Sequence, residues 1–63
     1  MPRTREQRVL LAVLTDEYLT TKVLGQRAGL TPRQVAGVAR TLASKGEAER
    51  ELTTGRWRRA RRR

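Results

Sequence analysis

Residues 21–42 read TKVLGQRAGLTPRQVAGVARTL, and the punctuation inside this stretch decides the fold. Thr21 is a good N-cap for a helix from Lys22 to about Ala28, because its hydroxyl can accept an otherwise orphaned amide proton. Val23, Leu24, Arg27 and Ala28 share the inward side of that helix, with Arg27 at its margin. Gly29 then ends it, since glycine takes a positive φ without a Cβ penalty. Only Gly29 and Leu30 separate that stop from a new start. Thr31-Pro32-Arg33-Gln34 reads as a capping box, with proline at the first helical position, where it is preferred. The helix it opens should run over 32–45. Val35, Val38, Ala39 and Leu42 recur at i, i+3, i+4 and i+7, which is one helical face. The opposite face should carry Thr31, Arg33, Gln34, Gly37, Arg40, Thr41 and Ser44. Small Gly25 lets the two helices approach, and Leu24, Ala28, Leu30, Val35 and Val38 can fill the angle between them.

Outward from this unit the pattern stays readable. Upstream, Thr4-Arg5-Glu6-Gln7 is a second capping box, and a helix is expected from Arg5 to about Glu17. Its apolar residues Val9, Leu10, Leu11, Val13 and Leu14 cover about half the circumference, more than one packing face requires. The surplus is either core or a contact with another molecule. Tyr18-Leu19-Thr20 favours an extended conformation but is too short for more than an edge strand. Downstream, Lys45-Gly46 closes the third helix, lysine suiting the negative helix end. Residues 47–52 then alternate small or apolar with charged, as a half-exposed strand does. Thr53-Thr54-Gly55 reads as a hairpin turn, and Trp57 opens a returning strand to about Ala60. The order is α-β-α-α-β-β: a mainly α domain over 1–60 with a small β hairpin, followed by a basic tail over 61–63.

Composition bounds the chemistry. A chain of 63 residues has room for one domain. A domain this small buries only roughly 60% of the surface that its unfolded chain exposes, so its core is thin. With no cysteine and no histidine, disulfides and the usual metal clips are excluded. Catalysis is not expected: the acids form no paired motif with a nucleophile, and so small a chain offers little pocket. No stretch reaches the ~20 apolar residues of a membrane span. A cytoplasmic, nucleoid-associated location is expected. Fifteen Lys and Arg against six Asp and Glu give +9, a balance that calls for a polyanionic partner. Six of those arginines, with no acid, fall within residues 56–63. A basic block at one end reads as an interaction arm.

Two short helices on a tight turn, the second with a polar start and one apolar side, form the layout of a DNA-binding helix-turn-helix. The chain resembles the winged helix-turn-helix family of small prokaryotic, archaeal and phage transcriptional regulators. The resemblance lies in Leu19-Thr20-Thr21, Leu24 to Thr31, Gln34-Val35, Val38 to Leu42, Lys45-Gly46, and a wing ending in Gly55-Arg56-Trp57-Arg58-Arg59. It departs at Glu47, where a larger apolar residue is common in the family, and in placing three acids in 47–51.

The resemblance implies sequence-specific binding of double-stranded DNA, with the helix over 32–45 in the major groove. Such a groove is about 12 Å wide and admits one helix. Arg33 can pair with guanine and Gln34 with adenine, although Gln34 can equally serve only the capping box. Thr31 and the amides at the helix start suit a phosphate. Gly37 permits close approach, and Arg40 suits phosphate more than base. Arg56, Arg58, Arg59 and Arg61 would meet the minor groove or the phosphates, followed by Arg62 and Arg63. Trp57, the lone tryptophan, is expected in the core. RNA binding and a protein-adaptor role are the alternatives. A homodimer formed through the first helix or on DNA is open. No cofactor, membrane partner or small-molecule ligand is expected.

Overall fold

The first helix, α1 (Arg5–Val13), opens on the capping box read from the sequence. Thr4 Oγ1 accepts from the Gln7 amide at 3.2 Å, and Gln7 Oε1 accepts from the Thr4 amide at 3.2 Å. This computed structural model describes residues 3–60. The basic tail over 61–63, including Arg61, lies outside the described residues.

α1 stops four residues short of the expected Glu17, where Leu14 turns extended at ψ 137°. Two forces explain the early end. A longer helix would set Asp16 and Glu17 against its own negative C-terminus. Thr15 Oγ1 also captures the Glu17 amide at 3.1 Å, a local bond that competes with the helical ladder. The Thr15 carbonyl, freed from any helix, accepts from the Arg59 amide at 2.8 Å.

The next helix, α2 (Thr21–Ala28), begins one residue earlier than expected. Its cap is Thr20, not Thr21: Thr20 Oγ1 accepts from the Val23 amide at 3.2 Å. The shift is tertiary in origin. Leu19 exchanges both backbone hydrogen bonds with Trp57, at 2.7 and 2.9 Å, and this pairing keeps the chain extended up to Thr20. The expected edge strand at Tyr18–Thr20 is thereby reduced to a single bridging residue, Leu19. Arg27, placed at the margin of the inward side, is exposed.

Gly29 ends α2 in the left-handed region at φ 72°. The third helix, α3 (Pro32–Ser44), starts on the second capping box, and Lys45 is its C-cap. Two strands follow, β1 (Ala48–Arg50) and β2 (Trp57–Arg59). They pair antiparallel with Ala48 opposite Arg59, Glu49 opposite Arg58 and Arg50 opposite Trp57. The strands are shorter than the periodicity implied, because glutamate and arginine are poor strand formers. The chain is thus three helices and a two-stranded antiparallel sheet, mainly helical.

The core is Leu10, Leu14, Leu24, Val35, Ala39, Leu42, Ala48 and Trp57. Burying each large aliphatic member contributes about 1.5–3 kcal/mol. Of the apolar run over 9–14, Leu10 in α1 and Leu14 just past its end are buried, while Leu11 and Val13 pack on the core partly buried. Trp57 is 4% exposed, in the core as expected. Glu47 is buried too and is held by a bidentate ion pair with Arg3. This buried carboxylate is therefore accommodated by a guanidinium distant in sequence. Among the described residues no helix is long and apolar enough to cross a membrane.

Candidate nucleic-acid interface

α3 divides cleanly. Val35, Ala39 and Leu42 are buried, whereas Thr31, Arg33, Gln34, Gly37, Arg40, Thr41 and Ser44 are all exposed. At 3.6 residues per turn, the positions from Arg33 to Ser44 in that exposed set span an arc of roughly 120°. The structure therefore brings together every α3 residue that the sequence nominated. The arc carries two arginines and no acid. Among the described residues the ion pairs are Arg3–Glu47 and Arg58–Glu49, so neither Arg33 nor Arg40 is neutralised from within.

The start of α3 is more committed than the sequence implied. Gln34 Oε1 accepts from the Thr31 amide at 2.9 Å, and Thr31 Oγ1 accepts from the Gln34 amide at 3.1 Å. Bidentate pairing of Gln34 with adenine would use the oxygen that the capping box already uses. Pro32 has no amide proton, which leaves Arg33 to offer the first turn's remaining N–H. Thr41 and Ser44 turn their hydroxyls onto their own helix, to the Gly37 carbonyl at 3.3 Å and the Thr41 carbonyl at 2.7 Å. Gly37 has open space where a Cβ would stand, so nothing inside the protein requires glycine there.

Comparison with family models, curated proteins and solved structures finds no match for this chain.

The hairpin sorts its arginines by face. Residues two apart on a strand share a face, and so do residues directly opposite across the pair. Arg50 and Arg59 therefore lie on the side of Ala48 and Trp57, with both guanidinium-bearing residues exposed. Arg58 lies on the other side, where it already has partners within the protein. Its Nε donates to Glu49 Oε1 at 2.8 Å, and its guanidinium sits 4.5 Å from the centre of the Tyr18 ring. The hydrogen bond and charge of Glu49, aided by Tyr18 and Asp16, raise the Arg58 pKa above its ordinary value. A cross-strand pair of opposite charge is a stabilising unit of a sheet, so Arg58 serves the hairpin first.

The acids in 47–51 are likewise engaged: Glu47 with Arg3, Glu49 with Arg58, and Glu51 accepting from the Thr54 hydroxyl. Arg56 is exposed beside the turn, its amide bonded to Thr54 Oγ1 at 3.3 Å. Sequence reasoning missed Arg50. The signal that would have found it is register: pairing opposite Trp57 puts it beside the turn, where its guanidinium lies 3.5 Å from where a Cβ on Gly55 would stand.

Proposed function

We propose that this chain is a winged helix-turn-helix protein that binds double-stranded DNA in a sequence-dependent way, as a small transcriptional regulator. α3 enters the major groove and the β hairpin acts as the wing, on the minor groove or the adjacent phosphates. The observation that carries this reading is the exposed, acid-free arc of α3, with Arg33 and Arg40 in no ion pair among the described residues, on a chain of charge +9. A helix with its side chains is about 10–12 Å across, which suits a groove about 12 Å wide. Arg33 and its own amide stand at the leading end of α3, where helices of this kind reach bases and phosphate. Arg50, Arg56 and Arg59 supply cation density on the hairpin, and β1 packs against α3.

The test is selection of duplexes from a random pool, followed by competition of the selected duplex against random duplex and structured RNA. Arg33→Ala should cost roughly 1–3 kcal/mol on the selected site and relax its preference there. Equal losses on selected and random duplex would remove Arg33 from base readout. Stronger competition by RNA than by any duplex would replace DNA with RNA as the partner.

A further inference from the structure

The turn between β1 and β2 holds the one large apolar side chain left exposed among the described residues: Leu52 is 89% exposed. Turns of this kind ordinarily use small or polar residues, and this turn is closed at both ends. The Glu51 amide bonds to the Arg56 carbonyl at 2.8 Å, and the Gly55 amide bonds to the Glu51 carbonyl at 2.8 Å. Thr54 Oγ1 donates to the Glu51 carboxylate and accepts from the Arg56 amide. Leu52 thus projects from a turn that is braced. Two arginines belong to the same hairpin end: the Arg50 guanidinium lies 3.5 Å from where a Cβ on Gly55 would stand, and Arg56 is exposed. The nearest acid, Glu51, is half-buried and occupied by Thr54.

We propose that Leu52 is an apolar wedge that enters the minor groove of duplex DNA and partly unstacks one base step, with Arg50 and Arg56 on the phosphates at either side. The inference rests on the duplex-DNA reading above and adds a deformation to it. Apolar side chains that enter between base steps leave water for the stack and kink the duplex. Arginine is drawn to the negative potential of a narrow minor groove. An apolar turn residue on a hairpin end with two arginines fits a polyanion with an apolar interior, which describes stacked bases between phosphates. A braced turn loses little freedom on insertion. Pyrimidine–purine steps such as TA and CA unstack most readily, so the base step beneath the wing should be one of these.

The experiment uses the full chain on a duplex selected by the wild-type protein, with 2-aminopurine substituted for successive adenines and donor and acceptor dyes at the ends. The expected result is a fluorescence rise at one position near the wing and a bend of at least about 20°. Leu52→Ala should abolish the rise and straighten the duplex while binding persists, and Leu52→Met should restore both. Because Leu52 is exposed, neither variant should disturb the fold, which thermal melting checks. If the wild type binds the duplex but no position brightens, or Leu52→Ala brightens it equally, the wedge is overturned and the DNA reading stands. If the wild type selects no duplex at all, the DNA reading itself fails and the wedge falls with it.

Discussion

Two glycines separate what the turn needs from what the surface tolerates. A Cβ on Gly25 would lie 2.5 Å from the Leu30 carbonyl oxygen, a backbone atom that cannot swing aside. The same glycine's carbonyl accepts from the Leu30 amide at 2.9 Å, so the clash falls on the turn that sets α2 against α3. The sequence-level reading made Gly25 a spacer between helices; the contact is instead with the connecting turn. Gly25→Ala is expected to destabilise the protein by about 1–3 kcal/mol, as overpacking does. Gly37 has nothing within 4 Å of its would-be Cβ, and alanine there should stabilise α3 by roughly 0.5–1 kcal/mol. Chemical denaturation of both variants checks the opposite signs. Duplex binding by Gly37→Ala adds a second readout: if α3 lies close in the groove, the more stable protein should bind less well.

At the scale of elements, helix caps decide where segments begin, and adjacent threonines make the choice ambiguous. Thr20 and Thr21 are equally good caps by type. The pairing of Leu19 with Trp57 selects Thr20 by holding the chain extended through it. Thr20→Ala should therefore cost about 1 kcal/mol, whereas Thr21→Ala, inside the first helical turn, should be near neutral. A larger loss at Thr21 than at Thr20 in thermal melts would show that the cap lies one residue later. The α3 start was fully legible, because Thr31, Pro32 and Gln34 each act locally. The end of α1 was not, because its apolar run continues to Leu14 while the helix stops at Val13. The burial of Leu14 is won in an extended conformation, which a helical period cannot report.

For the molecule as a whole, charge and size set the limits. A thin core is held by few large side chains, with Trp57 joining Leu19, the hairpin and the helices. Against this modest core stands a charge of +9, whose self-repulsion a polyanion would relieve. Duplex affinity should fall with salt along a log-log line of slope about −0.9 for each phosphate neutralised. Deleting Arg61–Arg63 should weaken selected and random duplexes alike and flatten that line. Isothermal titrations over a salt series provide the check, and an unchanged slope would take those three arginines out of the contact. Arg58→Ala should flatten it less than Arg56→Ala, since Arg58 already answers to Glu49 and Tyr18.

The sequence by itself determined the helices, two of the three caps, the turn on Gly29, the core face of α3 and the exposed set opposite it. Each of these follows from interactions among residues within a few positions of one another: caps, periodicity and glycine stops. Only the tertiary structure decided which cations stay available. Arg58 was spent on Glu49 by strand register, Arg3 on Glu47 by contact between distant parts of the chain, and Arg50 was carried to the turn by its pairing with Trp57. Charge counted along a chain carries no record of partners, because ion pairs and strand register are fixed by distances that exist only once the chain has folded.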